Sequence, residues 1–289
     1  APLFITQNDG TVVEAAQAMR LPVYSFASGA TNSMRGAAYL SGLLDAMVAD
    51  VGGTTTDIGQ LRNGFPREAN SVVQIGGVRT LFRMPDLTSF GLGGGSHVTG
   101  DPPKIGPLSV GYRLQQDAIA FGGKQLTTTD IAIASGKLAI GERDRVAKLD
   151  PDYCRRVFDE ARRMVEDVAD RMKTEAGDVP LVAVGGGAFL VPDRLAGISQ
   201  VIRVPHGDCA NAVGAAIAQV SGEVDQIFRD LTRGEAIAQA SRIATERAVD
   251  AGADRETLKT IETEDMPIAY LPGNSLRVRV RVVGDVASR

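Results

Sequence analysis

Short apolar runs that end in glycine alternate along this chain with stretches of helical period. AMVADVGG at 46–53 predicts a buried strand, and TTDIGQLRNG at 55–64 predicts its antiparallel partner. SMRGAAYLSGLLDA at 33–46 predicts a helix of small residues. A long helix is predicted next, because Asp150 can cap it, Pro151 suits its first position, and apolar residues then recur with helical spacing. This alternation predicts an α/β fold with mixed sheets.

Weaker patterns fill the rest of the chain. They predict a strand at 22–27, paired strands at 71–85, a Gly- and Pro-rich loop at 89–107, a helix of very small residues at 209–222, a further helical pattern at 222–251, and a half-buried strand at 276–284 with its arginines in solvent. We divide the chain into a folded lobe that begins at 1–64 and resumes at 151–252, an inserted irregular subdomain at 65–150, and C-terminal strands at 253–289.

Composition narrows the class of protein. With 289 residues, 44% of them hydrophobic and 23% charged, the chain can bury a core in one large or two moderate domains. The net charge of -4 argues against a nucleic-acid-binding protein, which would carry a basic face. Small acidic proteins of this kind are typically cytoplasmic, and no apolar run reaches the length of a membrane span. We therefore predict a cytoplasmic protein with neither nucleic-acid nor membrane partners.

The cysteines and the first residues add two expectations. Cys154 and Cys209 lie far apart with no CxxC partner, so neither a disulfide nor a zinc site is expected, and Cys209 is predicted to be a small buried thiol. The sequence begins with Ala1, already inside a strand-like run, and we interpret the chain as a fragment or processed piece of a longer protein.

The turn between the two central strands carries the strongest chemical signal. Asp50 ends the first strand, Gly52, Gly53 and Thr54 follow it, and Asp57 completes the pattern D-x-G-G-T-x-x-D. Glycines let the backbone bend sharply, and the N–H groups of such a turn can form a nest for an anion. The alternative is a tight hairpin in which Asp57 is only a turn residue.

Phosphate is the anion that this turn suits. The hydroxyls of Thr54 and Thr55 add donors, and hydrogen bonds to a charged group contribute roughly 1.5–3 kcal/mol each. The carboxylate of Asp50 would repel phosphate unless a cation bridged the two, so the pattern implies Mg²⁺ with several of its waters retained.

The two most familiar phosphate loops are absent from the sequence. A Walker A loop needs GxxxxGK followed by Ser or Thr, whereas GGKQ at 122–125 lacks both the spacing and the hydroxyl. A dinucleotide GxGxxG loop is also missing, since the glycines at 91–96 and 185–190 end in Ser96 and Leu190 where a third glycine is required.

The hairpin motif, taken with three others in the same order, resembles the actin, hexokinase and heat-shock chaperone ATPase superfamily. These motifs are the second phosphate motif ADVGGTTTDIGQL, the first connecting helix SGATNSMRGAAYLSGL, the adenosine motif LVAVGGGAFLVPDRL and the second connecting helix DCANAVGAAIAQVSG. Within the superfamily the chain is similar to the A-type subunit of the hydantoinase/oxoprolinase family over nearly its whole length. The segments that carry this likeness are PLFITQNDGTV, SGATNSMRGAAYLSG, DVGGTTTDIG, GLGGGSHV, GGKQLTTTDIAIASG and VGGGAFLVPD. Ala30 departs from the family, many members of which carry Pro there.

The resemblance implies an actin-like, ribonuclease H-like ATPase lobe with an inserted Gly- and Pro-rich subdomain. In such proteins ATP lies between two lobes, each with a glycine hairpin. This chain contains one such hairpin, so we interpret it as the second lobe, with the first lobe missing. The partners implied are that N-terminal lobe, a B-type subunit, further copies of the chain and a small cyclic amide.

The resemblance also assigns roles to residues. Asp50 would hold the waters of Mg²⁺, and Asp57 would orient the hairpin. The phosphates of ATP would be contacted by Gly52, Gly53 and Thr54, with Thr55 beside them, and the adenosine would face Gly185, Gly186 and Gly187.

His97 is a further catalytic candidate beside Asp50 and Asp57. In GGGSHVTGD it lies with Ser96 and Asp101, and it would act as a base or metal ligand; the alternative is a polar surface residue.

The activity that the resemblance implies is ATP-dependent hydrolysis of a cyclic amide such as a hydantoin or 5-oxoproline. A nucleotide-gated regulatory module and a small-molecule kinase of the same superfamily remain as alternatives. The Gly-rich insertion favours the enzyme, because a pure clamp needs no such pocket.

Overall fold

The computed structural model describes residues 3–69, 73–75, 78–80, 84–269 and 274–287. The α-helices are α1 Ala15–Arg20, α2 Ser28–Ser41, α3 Leu114–Asp117, α4 Thr128–Ala134, α5 Pro151–Met172, α6 Ala210–Ala216 and α7 Arg233–Asp250. The strands are β1 Phe4–Thr6, β2 Thr11–Glu14, β3 Ala46–Val51, β4 Thr56–Arg62, β5 Phe65–Pro66, β6 Val73–Ile75, β7 Val78–Thr80, β8 Leu87–Phe90, β9 Ser96–Thr99, β10 Lys104–Ser109, β11 Val179–Val184, β12 Ile198–Arg203, β13 Gln219–Phe228, β14 Lys259–Pro267 and β15 Leu276–Gly284.

The chain forms two compact units, Gly29–Ala216 and a smaller one that joins Ala1–Ser28 to Ile217–Arg289. The larger unit contains a mixed sheet of order β12-β11-β3-β4-β5, with β8 also paired to β4. Strands β12, β11 and β3 run parallel, whereas β3 and β4 form an antiparallel hairpin. The α/β class with mixed sheets predicted from the sequence is therefore confirmed.

Alternation along β3 explains how the sheet is covered on both faces. Met47, Ala49 and Val51 belong to one hydrophobic core, whose helical side is the apolar face of α5. Ala46 and Val48 point the other way and pack in a core with the small residues of α2. Because side chains of a strand alternate between faces, one short apolar strand supports both layers.

The smaller unit has a core of its own. Its sheet has the order β1-β2-β13-β15-β14, and α7 packs on it through an alanine every fourth residue: Ala236, Ala240, Ala244 and Ala248, all fully buried. A methyl every fourth residue gives a flat stripe that can approach a sheet closely. Gly222 on β13 completes this fit, because a Cβ there would overlap the backbone of Ala244 and Ala248.

Several secondary-structure predictions were wrong. Residues 22–24 form a 3₁₀ helix instead of a strand, and the predicted loop at 89–107 contains β9 and most of β10. The small-residue helix ends at Ala216, and the chain continues as β13, whose buried Val220 and Val224 alternate with less buried residues. Alanine and glycine give little hydrophobic periodicity, so the predicted helix at 209–222 extended wrongly into the strand. Of the paired strands predicted at 71–85, β6 and β7 pair as expected, while residues 71, 72, 76, 77 and 81–83 lie outside the described residues.

The arginines of β15 correct a second prediction. Arg277 is exposed, but Arg281 is 3% exposed and lies 3.1 Å from Glu262 and 3.6 Å from Asp9. Burial lowers the pKa of Arg281. The carboxylates of Glu262, on the paired strand β14, and of Asp9 therefore allow an alternating strand to bury a cation on its polar face. Cys209 is also opposite to the expectation, since its thiol is exposed.

No helix in the described ranges is long and apolar enough to cross a membrane. The segment 65–150, predicted to be an insertion, lies wholly inside the larger unit. The four-segment division of the chain stays a prediction.

Candidate functional site

The candidate site begins at the tip of the β3–β4 hairpin. Asp50 on β3 lies opposite Asp57 on β4, and Val51 lies opposite Thr56. The N–H of Gly52 donates to the carbonyl of Thr55 at 2.9 Å and closes the turn. The apolar residues of β3 anchor the hairpin in the core, so the polar tip is held at the end of a rigid element.

Asp50 is partly shielded from water and interacts with two neighbours. Burial raises its pKa, hydrogen bonding to Ser33 on α2 acts the other way, and the facing Asp57 raises it further. The amide of Asn211 on α6 donates to the Ser33 hydroxyl at 3.3 Å and to the carbonyl of Gly29 at 2.6 Å. A short polar chain thus connects Asp50 to α2 and α6.

The two helices that hold this chain cross in direct backbone contact. A Cβ on Gly36 of α2 would overlap the carbonyl of Ala210, and a Cβ on Gly214 of α6 would overlap the carbonyl of Asn32. Glycine at both positions is what permits so close a crossing. The helices therefore fix Ser33 and Asn211 relative to each other.

The hairpin tip presents free backbone donors. Gly53, Thr54 and Thr55 are exposed, and their N–H groups have no hydrogen-bond partner in the ranges that the structure describes. A Cβ on Gly53 would meet no atom within 4 Å, so the space beside it is open. Three consecutive free N–H groups are the arrangement that binds an anion.

A second glycine turn, at Gly185, Gly186 and Gly187, lies beside the hairpin because β11 runs parallel to β3. The N–H of Gly187 donates to the carbonyl of Val51 at 2.7 Å. Gly185 has a φ of +86°, and a Cβ there would lie 2.6 Å from the Asp50 carboxylate. Gly186 is exposed with open space around it. Both turns therefore meet at the ends of adjacent strands, where ligands bind in open α/β sheets.

A glycine loop supports the hairpin tip from the other side. The N–H of Gly94 donates to the Gly52 carbonyl at 3.0 Å, and the N–H of Gly95 donates to the Gly53 carbonyl at 2.7 Å. A Cβ on Gly93 would lie 2.5 Å from the nitrogen of Thr54. The Ser109 hydroxyl adds a bond of 3.2 Å to the Gly53 carbonyl. These contacts occupy the carbonyls of Gly52 and Gly53, which accept no bond from the tip's own N–H groups.

The family profile for hydantoinase/oxoprolinase proteins matches residues 1–177, which is more than half of the 289 residues. The chain belongs to the hydantoinase/oxoprolinase family.

Solved structures with the same fold show how much of such a protein this family member represents. The chain is 17% identical to an acetone carboxylase in a nucleotide-free structure, with a TM-score of 0.63. This match covers 99% of the chain and 53% of the carboxylase chain. The chain is also 16% identical to an ATP-dependent caprolactamase from Pseudomonas jessenii, with a TM-score of 0.68. This match covers 99% of the chain and 54% of the caprolactamase chain. The chain thus spans about half the length of these structures, and at such identities the likeness shows the fold. No curated protein matches the chain.

The acidic candidates of this hydantoinase/oxoprolinase chain differ in their surroundings. The carboxylate of Asp57 accepts a hydrogen bond from Ser89 on β8, which suits a residue that orients the hairpin. Asp50 lies beside the second glycine turn, where a Cβ on Gly185 would approach its carboxylate. Among the described residues no three His, Cys, Asp or Glu side chains gather as a metal site. Mg²⁺ commonly takes only one or two carboxylates and keeps several waters, so Asp50 and the facing Asp57 fit that ion.

His97 lies elsewhere in the same unit. It sits on β9 and lines a pocket with Asp117 and Lys124, and the residues that line this pocket include neither aspartate of the hairpin. The structure therefore brings Asp50, Asp57 and both glycine turns together and places His97 apart from them.

Sequence reasoning missed the residues that support the site. Ser33, Asn211 and Ser109 hold Asp50 and the tip through side-chain hydrogen bonds across long sequence separations. The signal available was the abundance of Ser, Asn and Gly in the two connecting helices, which indicated close packing but not the polar chain.

Proposed function

We propose that this chain carries the nucleotide-binding part of an ATP-dependent enzyme that hydrolyses a cyclic amide of the hydantoin or 5-oxoproline type. Membership of the hydantoinase/oxoprolinase family supports the reaction class. The observation that carries the proposal is the meeting of two glycine turns beside Asp50, one with free N–H groups on Gly53, Thr54 and Thr55 and the other with Gly186 exposed.

The residues of the chain have distinct tasks in this proposal. The N–H groups of the hairpin tip, with the hydroxyls of Thr54 and Thr55, bind the β- and γ-phosphates, because preorganised donors stabilise anionic charge without rearranging. Asp50 holds the waters of Mg²⁺, and Asp57 orients the hairpin through Ser89. The open space at Gly186 accepts the adenosine side of the ligand. Bound Mg-ATP supplies the phosphoryl group that activates an amide carbonyl, a poor electrophile.

We also propose that a second ATPase lobe completes the nucleotide cleft and that a B-type subunit joins it. The basis for the second lobe is length, since the acetone carboxylase and caprolactamase structures are about twice as long as this chain. The basis for the B-type subunit is membership of the hydantoinase/oxoprolinase family.

Isothermal titration of Mg-ATP into the chain tests the nucleotide site, first alone and then with the proposed first lobe added. We expect binding in the mixture, and we expect Asp50→Asn to weaken it. ATP hydrolysis stimulated by hydantoin or 5-oxoproline, with an opened ring as product, then tests the reaction. A stable phosphorylated product would instead identify a kinase, and turnover unaffected by either amide would identify a regulatory module. No binding of Mg-ATP in either titration would overturn the proposal.

A further inference from the structure

A second concave site lies in the larger unit, about 530 Å³ in volume. Its polar lining comes from His97, Gln116, Asp117, Lys124 and Gln125, and Val110 adds an apolar wall. Small-molecule pockets are commonly about 300–1,000 Å³ with a few convergent polar groups. None of the tasks proposed for ATP uses these side chains.

The free charge in this pocket is positive. Asp117 is engaged by Arg113 through two bonds of 2.8 and 2.9 Å, which lower the pKa of its carboxyl. The ammonium of Lys124 has no ion pair or hydrogen bond anywhere in the described chain. The imidazole of His97 and the amide of Gln116 likewise make no hydrogen bond to a described residue. The Lys124 ammonium, the His97 imidazole and the Gln116 amide are therefore available to a ligand.

The backbone of the pocket rim offers an anion little. The N–H groups of Gly122, Gly123, Lys124 and Gln125 donate to the carbonyls of Ile119, Ala118 and Asp117 at 2.9–3.0 Å. The described residues of this rim form no nest of free N–H groups, and such a nest is the usual partner of phosphate. A single lysine beside an imidazole and an amide matches a monoanion, because a carboxylate accepts a charge-assisted bond from lysine and further bonds from imidazole and amide.

The pocket adjoins the hairpin tip through one strip of backbone. Val110 lines the pocket, and its neighbour Ser109 bonds to the Thr54 hydroxyl at 3.4 Å. The N–H of Val110 donates to the carbonyl of Gly95 at 2.9 Å, and Gly95 in turn holds the tip. From the free lysine, the engaged rim and this position, we infer that the pocket binds a small organic carboxylate through Lys124, His97 and Gln116, one residue away from the phosphate hairpin.

The chain contains two histidines, which gives the test a direct readout. Imidazole NMR signals of the full 289-residue chain are assigned with His206→Gln and followed during titration with benzoate. We expect a saturable shift of the His97 signal alone, a weaker one with neutral benzamide, and none with inorganic phosphate. No nucleotide is present, so the result does not depend on the ATP-binding proposal.

Charge at Lys124 decides between binding and a general salt effect. Lys124→Met should raise the apparent Kd for benzoate about tenfold, as expected for one charge-assisted bond. Lys148→Met, an equal loss of charge at an exposed position outside the pocket, should leave the Kd unchanged. The inference is overturned if benzoate causes no saturable shift of the His97 signal, if Lys124→Met and Lys148→Met behave alike, or if phosphate binds better than benzoate.

Discussion

At the scale of single residues, Asp50 combines a proposed functional role with a cost to folding. Burial and the facing Asp57 raise its pKa above the ordinary 3.8, although Ser33 offsets part of the rise. Because folding raises the pKa of Asp50, its protonated side chain stabilises the fold fully below pH 3.8. This stabilisation is lost as the pH rises through the folded-state pKa, where the buried group becomes charged. We expect Asp50→Asn to raise the free energy of unfolding at pH 7, and to change it little in acid, as measured by urea denaturation at both pH values.

A matched variant separates this effect from a general change of charge. Asp178 is exposed, so Asp178→Asn should leave the free energy of unfolding unchanged at both pH values. Asp50→Asn should also weaken Mg-ATP binding, and Asp178→Asn should not. If Asp50→Asn lowered stability at pH 7, the carboxylate would be part of a stabilising network. If it left Mg-ATP binding unchanged, the proposed role would need another residue.

At the scale of elements, two glycine-to-alanine substitutions distinguish the role of the hairpin tip from that of the glycine loop that supports it. Gly93→Ala places a Cβ 2.5 Å from the Thr54 nitrogen, so the tip must shift, and overpacking of this kind costs about 1–3 kcal/mol. Gly53→Ala points into open space and should leave stability nearly unchanged, but its methyl would occupy the proposed phosphate cradle. Urea denaturation and Mg-ATP titration of both variants measure the two effects.

The proposed role of the hairpin tip is tested by comparing stability and Mg-ATP binding in the two variants. Gly93→Ala should lose both stability and nucleotide binding, whereas Gly53→Ala should lose binding alone. Gly177→Ala, also in open space, is the control for adding a methyl to a loop. Unimpaired binding in Gly53→Ala would show that the tip does not contact phosphate.

The sequence predicted the elements in which apolar spacing and turn residues agree. The β3–β4 hairpin and α5 have the expected positions, because glycine, proline and a capping aspartate mark their ends. Prediction failed where small residues hide the period, as in β13, and where a partner far along the chain changes the environment, as for Arg281. Within the candidate site, the motif located both glycine turns but not Ser33 or Ser109, because their contacts exist only after folding.

At the scale of the whole molecule, the division into two units depends on strand pairings that a local sequence pattern does not predict. Residues 1–28 join the C-terminal part of the chain because β2 pairs with β13, Val12 lying beside Val220. A sequence pattern reports the faces of each element, whereas the choice of partner strand depends on how those faces fit together. Each unit has a hydrophobic core of its own.

Because each unit has its own core, we predict that a substitution in one unit destabilises that unit alone. Gly222→Ala forces β13 away from α7 in the smaller unit, and Gly36→Ala forces α2 away from α6 in the larger one, since each new Cβ would overlap backbone. Each change should cost about 1–3 kcal/mol of local stability. Hydrogen exchange measured by mass spectrometry should accelerate in α7 and β15 for Gly222→Ala, and in α2 and β3 for Gly36→Ala. If either substitution accelerated exchange equally in both sets of elements, the units would unfold as one cooperative body, and the candidate nucleotide site would share its stability with the C-terminal sheet.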